Sequence, residues 1–390
     1  MTTFGDKLRR LRIERGLSLT RFAARVTYDK GYISRLETGK KTPSEEVARK
    51  CDDVLEAHGD LIAAAHADII ARRDQRPWQT AELIGRIQKS DTDPVTIEAL
   101  HATVFELGCE YAYRDAHDLR AEGHEWLRRV ADMVRKPVGL SAHSELLTAT
   151  GWLALLVGCL EYDMGLRTSA EVTRSAALKL GQEAGNTEII GWAHEMATWF
   201  ALTQGRYRDV ISTALAAENE SRGHSVSVQI IAQRAKAMAR MGDIKDLPRV
   251  LERGHLLLDG FPLPERTDNH FIVDPAKWDF YAMDAYRLAG LDSLAVAHAH
   301  EVLNSGTAPD GTEIAPMRMA EARLTLAVAA ARGNDLEGAI TLGRRAFEAD
   351  RKSLPSLLMV AGELDSELGR RFPRETETAE FRELVRSVQS

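Results

Sequence analysis

The chain has 390 residues, a formal net charge of −7, 44% hydrophobic residues and 28% charged residues. This length predicts two or more domains, and the composition is ordinary for a soluble protein with a substantial core. The longest apolar run, Gly151 to Leu160, is about half of what spans a bilayer, and the N-terminus shows no basic-then-apolar leader. We therefore expect neither a membrane-spanning nor a secreted protein.

Charge is distributed unevenly along the chain. Residues 1–41 contain eleven Lys and Arg against four Asp and Glu, a net of +7, so the remaining residues carry −14. Such asymmetry is typical of a basic nucleic-acid-binding segment attached to an acidic body. The helical pattern within the basic segment distinguishes a binding surface from an ordinary solvated one.

Two short helices are predicted at the start of the chain. The first has an apolar stripe with helical spacing and ends at Gly16. This stripe consists of Phe4, Leu8, Leu11 and Ile13. Ser18 is a favourable N-cap for the second helix. The apolar residues of the second helix are Leu19, Phe22, Ala23 and Val26.

A third helix is predicted at residues 29–38, after a two-residue connection that allows only a tight turn. Asp29 caps the positive end of this helix, and Ile33 and Leu36 are expected to face the core. The residues expected to face outward are Lys30, Gly31, Tyr32, Ser34 and Arg35. Two short helices joined by such a turn form a helix-turn-helix, whose second helix enters the DNA major groove.

The chain also contains a specific string of residues around this turn. The string consists of Leu17-Ser18, Phe22-Ala23, Tyr32-Ile33-Ser34-Arg35-Leu36-Glu37, Gly39 and Pro43. With these residues the segment resembles the DNA-binding domain of the Xre/Cro-type repressor family. The resemblance covers residues 4–71 and implies a five-helix domain with its last two helices at 44–56 and 59–71. Leu19 departs from the family, which often has a glutamine there that helps to dock the second helix.

The resemblance implies which residues contact DNA. Arg35 is expected to read a guanine through two hydrogen bonds, worth roughly 1–3 kcal/mol of discrimination. The groove-facing positions are Lys30, Gly31, Tyr32, Ser34 and Arg35. The residues expected to contact phosphates, which adds affinity without sequence information, are Lys40, Lys41, Arg9, Arg10 and Arg12.

A linker is predicted at residues 72–94, between a DNA-binding domain at 1–71 and a second domain at 95–390. The linker begins and ends with polar segments that terminate in proline. A short helix is predicted between these segments, with an apolar stripe of Trp78, Leu83, Ile84 and Ile87.

The second domain is predicted to be helical throughout, with repeated helix–turn–helix units. The turn glycines, 40, 37, 48 and 43 residues apart, are Gly165, Gly205, Gly242, Gly290 and Gly333. These units resemble tetratricopeptide repeats, and one copy has the small residues Gly158, Ala170 and Ala177 at the matching positions. The predicted fold is therefore all-α, a five-helix helix-turn-helix domain followed by a tetratricopeptide-like α-solenoid. An irregular helical domain without a continuous groove is the alternative.

Stacked repeats leave a concave surface that is built from the first helix of each pair. Residues 261–274 break the period and are predicted to form an inserted loop. The residues predicted to line the concave surface are Trp152, Cys159, Tyr162, Trp192, Glu195, Trp199, Gln229, Lys236, Arg240, Lys277, Asp284 and Arg287. Aromatic side chains next to basic ones suit a peptide or an amphipathic small molecule, although the tryptophans also fit ordinary packing between helices. The basic residues favour a ligand carboxylate.

Catalytic and metal-binding patterns are absent from the sequence, and we expect no enzyme activity, no metal and no cofactor. His298 and His300 lie two apart, so on a helix they point in nearly opposite directions and cannot share a metal. The three cysteines are expected to be small core residues of a cytoplasmic protein. They are Cys51, Cys109 and Cys159.

The whole layout resembles the actinobacterial Xre-tetratricopeptide regulators and, more distantly, the peptide-sensing quorum regulators of Gram-positive bacteria. This resemblance implies a cytoplasmic, homodimeric transcription factor that binds an operator with two half-sites. Its repeat domain would dimerise and sense a peptide or small-molecule effector, without contact to a membrane. A repeat scaffold that regulates a partner protein, with DNA binding secondary, is the alternative function.

Overall fold

The structure is a computed structural model, and it describes residues 3–74, 94–136, 138–349 and 351–389. The helix that the sequence predicts near Trp78 lies outside these ranges. In the described residues every regular element is an α-helix, apart from one isolated β-bridge. The all-α prediction is therefore confirmed.

The chain divides into two compact units, residues 1–91 and 92–390, and the division falls within the predicted linker. The first unit contains five described helices. These are α1 (Phe4–Glu14), α2 (Leu19–Val26), α3 (Lys30–Glu37), α4 (Glu45–Leu55) and α5 (Asp60–Asp74). The order and approximate bounds of these helices agree with the helix-turn-helix prediction.

Side-chain caps set the starts of these helices. The Ser18 hydroxyl accepts a hydrogen bond from the backbone N–H of Arg21, and the Asp29 carboxylate accepts one from the N–H of Tyr32. Each cap thereby satisfies a donor that the helix itself leaves unpaired. Thr27 adopts a left-handed conformation with φ of 61° and ends α2, which produces the tight turn before α3.

The core of the first unit forms where the apolar faces of its five helices meet, including Phe4, Leu8, Ile33 and Leu36. The prediction that Ile13 faces this core is wrong, because its side chain is 57% exposed. Ile13 follows Phe4 by nine residues, which corresponds to about 180° around a helix. The apolar stripe of α1 therefore ends at Leu11, two residues earlier than expected.

Helix α1 approaches the end of α3 closely at Gly5. A β-carbon built on Gly5 would lie 2.4 Å from the carbonyl oxygen of Leu36 and 2.9 Å from that of Glu37. Real side chains cannot be accommodated at such distances, so glycine is required here. This contact holds the α3 helix against the core from its C-terminal end.

The second unit contains fourteen helices in the part that the structure describes. The first seven are α6 (Pro94–Glu110), α7 (Ala116–Val134), α8 (Leu140–Asp163), α9 (Arg167–Ala184), α10 (Thr187–Thr203), α11 (Tyr207–Glu220) and α12 (Val226–Arg240). The others are α13 (Leu247–Asp259), α14 (Pro275–Leu288), α15 (Asp292–Ser305), α16 (Pro316–Arg332), α17 (Leu336–Phe347), α18 (Leu354–Arg371) and α19 (Thr376–Gln389). From α8 onward, successive helices pair as antiparallel hairpins that stack on one another.

The predicted turn glycines lie between the two helices of five consecutive hairpins, as expected. Four of them, including Gly165 and Gly290, have a positive φ, which glycine adopts without strain. In the fifth turn the left-handed residue is Asn334, with φ of 63°, and Gly333 directly precedes it. Asparagine tolerates this conformation better than most residues, so the turn keeps its geometry without a glycine at that position.

Helix α8 is long and apolar enough to span a bilayer by length and composition, and it is the one such helix among the described residues. Fourteen of its residues, including Leu153 and Leu160, are buried inside the protein. A helix that is apolar on all sides is expected in the core of a large helical array. We therefore interpret α8 as a core helix.

Candidate functional site

Helix α3 presents a short continuous polar face. Lys30 is exposed, and Gly31, Ser34 and Arg35 are half-buried. On a helix, Lys30 and Ser34 are neighbours, and so are Gly31 and Arg35, because residues four apart lie on the same side. The structure therefore places four of the five predicted groove-facing residues together on one surface.

The prediction that Tyr32 faces outward is wrong. Its side chain is 7% exposed and belongs to the core of the first unit. The reason is helical geometry, since Tyr32 lies four residues before the buried Leu36 and shares its side of the helix. Tyr32 stacks on Tyr28 with ring centroids 5.1 Å apart.

The two stacked tyrosines position basic side chains beside the α3 surface. The Lys41 ammonium lies 4.7 Å from the centroid of the Tyr32 ring, and the Lys50 ammonium lies 5.1 Å from that of Tyr28. Such cation–aromatic contacts contribute about 0.5–1 kcal/mol at exposed sites. Tyr32 therefore contributes to this surface by orienting Lys41, and a sequence pattern of single helices cannot predict that role.

The prediction that Arg12 contacts phosphate is also wrong. Its Nε and Nη2 atoms donate to the Glu37 carboxylate, and its Nη1 donates to the carbonyl of Leu17 at 2.8 Å. The hydrogen bonds to Glu37 raise the pKa of Arg12 above its ordinary value. Both side chains are largely buried, so this pair fixes the C-terminal end of α3 to α1.

Helices α1 and α2 carry four exposed arginines. Arg9 and Arg10 on α1 were predicted as phosphate contacts, and Arg10 also lies 3.6 Å from Glu14. Arg21 and Arg25 on α2 were not predicted, although they contribute to the net charge of +7 in residues 1–41. In a helix-turn-helix the first helix crosses the DNA backbone, so these two arginines join the candidate phosphate contacts.

The predicted ligand residues of the second unit lie together, but in a closed interior. Most of them are buried and the remainder are half-buried. The buried ones are Cys159, Tyr162, Trp192, Glu195, Gln229, Lys236, Lys277, Asp284 and Arg287, and the half-buried ones are Trp152, Trp199 and Arg240. The expectation of an open concave surface is therefore wrong, and two segments of the chain itself fill the space.

The first of these segments is the predicted inserted loop, residues 261–274. Its Phe271 ring lies 5.3 Å from the rings of both Trp152 and Trp192. The amide of Asn269 in the same loop donates to the carbonyl of Phe105 on α6 at 2.9 Å. The loop therefore occupies the place that the sequence suggested for a ligand.

Lys277 holds this loop in position. Its ammonium donates to the backbone carbonyls of Asn269 at 3.2 Å, His270 at 2.6 Å and Ile272. Burial lowers the pKa of Lys277 to about 7. The predicted ligand-binding lysine is thus a structural residue, because its donors are already used by the loop.

The second segment is helix α18, which carries Glu363. The Glu363 carboxylate accepts hydrogen bonds from Arg240 at 3.0 Å and from Arg287 at 2.9 Å. Helix α18 also places the Ser356 hydroxyl 3.0 Å from the indole nitrogen of Trp199. The basic residues that favoured a ligand carboxylate therefore already bind a carboxylate of the chain.

Asp284 lies at the centre of this charge cluster. Arg240 and Lys236 approach it to 3.0 Å and 3.4 Å, and Arg287 donates a further hydrogen bond. Burial would raise the pKa of Asp284, but the neighbouring cations Arg240, Arg287 and Lys236 hold it well below its ordinary value. We define Lys236, Arg240, Asp284, Arg287 and Glu363 as the interior charge cluster.

Glu195 lies elsewhere in the same interior. Its carboxylate accepts hydrogen bonds from the side-chain amides of Gln229 at 2.8 Å and Gln233 at 2.7 Å. Burial raises its pKa above the ordinary value. The predicted residues Glu195 and Gln229 therefore bind each other.

Comparison with known proteins supports the first unit as a helix-turn-helix DNA-binding domain. Residues 3–65 match a family described as "Helix-turn-helix domain". No curated protein matches the chain. Among solved structures, the chain is similar to the crystal structure of Bacillus thuringiensis PlcR in complex with the peptide PapR7 and DNA. The identity is 13%, the similarity covers 66% of this chain and 95% of that chain, and the TM-score is 0.34.

The buried pair of Arg12 and Glu37 generates a stability prediction. Arg12→Ala should destabilise the first unit by about 3–5 kcal/mol, because it leaves the Glu37 carboxylate buried without its partner. Hydrogen–deuterium exchange of α3 peptides in the full chain measures this change. The double variant Arg12→Met/Glu37→Leu should recover most of the lost protection, because it removes both charges.

Arg10→Ala is the matched control, since the Arg10–Glu14 pair lies on the same helix and is exposed. It should change the protection of α3 against hydrogen–deuterium exchange by less than about 0.5 kcal/mol. If α3 exchanged equally fast in the Arg10→Ala and Arg12→Ala variants, the structural role of Arg12 would be contradicted.

Glu321 generates a pH prediction. Burial raises its pKa from 4.5 to about 7, so between these values the folded state holds a proton that the unfolded state has released. The contribution of Glu321 to the free energy of unfolding is therefore fully present below pH 4.5 and is lost as the pH rises towards about 7. In the native chain this loss amounts to roughly 3 kcal/mol, and Glu321→Gln should abolish it. Urea unfolding at a series of pH values measures the difference. As a control, the exposed Glu301→Gln variant should lose stability with rising pH like the native chain. If Glu321→Gln loses the same stability over this pH range, the prediction is contradicted.

Proposed function

We propose that this chain is a sequence-specific, DNA-binding transcription regulator of the cytoplasm. The observation that carries the proposal is the polar face of α3, which remains at the surface while contacts with the rest of the unit and a side-chain cap fix the two ends of the helix. Asp29 caps its start, and the Arg12–Glu37 pair and Gly5 fix its end. A rigid helix with basic residues on its outer side is suited to reading a major groove. The proposal is a binding function, and it includes no catalytic step, metal or cofactor.

The proposed regulator binds as a homodimer to an operator with two half-sites. One small helix-turn-helix domain offers few base contacts, so useful affinity normally requires two such domains about 34 Å apart. The second unit, with fourteen described helices, is the proposed source of the dimer interface. Light scattering of the full chain with and without operator DNA tests this, and a monomer in both conditions contradicts it.

We further propose that the second unit senses an effector whose carboxylate replaces that of Glu363 in the interior charge cluster. Glu363 is the most exposed carboxylate of the interior charge cluster, with 23% of its side chain exposed against 1% for Asp284. A carboxylate at the C-terminus of a short peptide offers the same chemistry to Arg240 and Arg287. Displacement of α18 by such a peptide changes the packing of the hairpins, and the expected coupling free energy to DNA binding is about 1–3 kcal/mol.

The DNA-binding surface generates a prediction that separates base contacts from phosphate contacts. Arg35→Ala should relax specificity at one base position. The variant should lose roughly 1–3 kcal/mol of the binding free energy that distinguishes the preferred base from the others. Lys40→Ala should weaken binding to all sequences equally and reduce the salt slope by about one. Fluorescence anisotropy with fragments of the chain's own promoter region at several salt concentrations measures both effects.

Lys179→Ala, an exposed lysine of the second unit, is the control and should leave DNA binding unchanged. Absence of binding to any promoter fragment at low salt would refute the proposed function. If the chain bound no promoter fragment but captured a partner protein, a repeat scaffold that regulates this partner would replace the proposed DNA-binding function.

Effector sensing generates a separate prediction. Short peptides with a free C-terminus should change tryptophan fluorescence, because Trp199 donates a hydrogen bond to Ser356 of the displaced helix. The same peptides with an amidated C-terminus should have no effect, and Arg240→Ala should abolish the response. A peptide that alters DNA binding equally in the native chain and the Arg240→Ala variant would place the sensing site elsewhere.

A further inference from the structure

A pocket of 410 Å³ opens on the second unit away from the interior charge cluster. It lies between α11 and α13, the second helices of two consecutive hairpins, with α12 at its base. Its volume falls within the range of about 300–1,000 Å³ that is typical of small-molecule sites. Nothing in the proposed regulatory function uses this pocket.

Arg234 lines the pocket from α12. It lies two residues before Lys236, so the two side chains point in nearly opposite directions, about 200° apart around the helix. Lys236 faces the interior, whereas Arg234 faces α11 and α13. Arg234 is 7% exposed, and its Nε atom has no hydrogen-bond partner.

Glu218 on α11 neutralises the charge of the Arg234 guanidinium only in part. Its carboxylate accepts a hydrogen bond from Nη1 of Arg234 and also pairs with Arg253 at 2.8 Å. Burial lowers the pKa of Arg234, whereas the pKa values of the buried Arg240 and Arg287 are raised by their carboxylate partners despite burial. Arg234 and Arg253 therefore share one carboxylate, and a second carboxylate would complete their pairing.

The remaining charges around the pocket lie near its opening. Arg249 pairs with Asp246 at 3.4 Å, and Asp243 is an exposed lining residue. Together with the arginines and Glu218 described above, these charges cancel, so no net field attracts ions into the pocket. Selectivity must therefore come from the directed donors of Arg234 and Arg253.

The other wall of the pocket is apolar. It consists of Ile211, Leu215, Met238 and Val250. Leu215 is 53% exposed, so its side chain is accessible to a ligand in the pocket. An apolar wall facing a few directed donors is the usual construction of a small-molecule site.

We propose that this pocket binds a small amphipathic carboxylic acid. Its carboxylate pairs with the guanidinium groups of Arg234 and Arg253, which in this structure share the single carboxylate of Glu218. Its hydrocarbon part packs against Leu215 and the neighbouring apolar side chains. A carboxylate is preferred to a neutral oxygen because it forms an ion pair with a guanidinium group and can accept two parallel hydrogen bonds from it.

Isothermal titration calorimetry of the full chain without DNA tests this proposal, with octanoate and 1-octanol as probes. Octanoate should bind one site per chain, and octanol should bind about tenfold more weakly or not at all. Leu215→Glu should abolish octanoate binding by placing a carboxylate in the pocket. Arg253→Gln should weaken octanoate binding and reduce the difference in affinity between octanoate and 1-octanol.

Leu256→Glu is the matched control, because Leu256 lies on α13, is 64% exposed and does not line the pocket. It should bind octanoate like the native chain. The proposal is overturned if octanoate gives no saturable heat, if octanol binds as tightly, or if the two glutamate variants behave alike. Both substitutions replace exposed side chains, and circular dichroism verifies that the variants remain folded. None of these outcomes depends on DNA binding.

Discussion

Buried charge in the second unit has to be paired within the chain, and this requirement organises the whole helical array. Moving a cation and a carboxylate out of water costs several kcal/mol per ion, so each buried group needs close partners. Arg240, Asp284 and Glu363 come from α12, α14 and α18, and their ion pairs join hairpins that are distant in sequence. The array is consequently held together by its interior as well as by contacts between adjacent hairpins.

Local features of the fold could be predicted well from the sequence. The caps at Ser18 and Asp29, the turn glycines and the inserted loop all depend on residues within a few positions of each other. Arg12 was assigned wrongly because its environment depends on another helix, since it pairs with Glu37, 25 residues further along the chain. Helical spacing within α1 does not contain that information. The burial of Tyr32, by contrast, follows from its spacing to Leu36 on the same helix, and only its stacking on Tyr28 depends on the preceding turn.

The interior shows the same limit more clearly. The sequence correctly grouped the aromatic and basic residues on the first helices of successive hairpins, and the structure brings them together. Periodicity could not indicate that Phe271 and Glu363 would occupy the same space, since these contacts join segments up to 123 residues apart. An unpaired basic residue in a repeat pattern therefore predicts a carboxylate partner, but it does not predict whether the carboxylate belongs to a ligand or to the chain.

The pairing of Asp163 with Arg351 has a consequence for synthesis on the ribosome. Asp163 is completely buried at the end of α8, and Arg351 follows it by 188 residues and approaches it to 2.6 Å. At about 5–20 residues per second, translation takes roughly 10 to 40 seconds to supply that arginine. During this interval the first hairpins can stack on one another, but a carboxylate in their core has no cation. The nascent chain therefore reaches its final packing only after nearly all of the array has been translated, although most repeat proteins can fold progressively from one end.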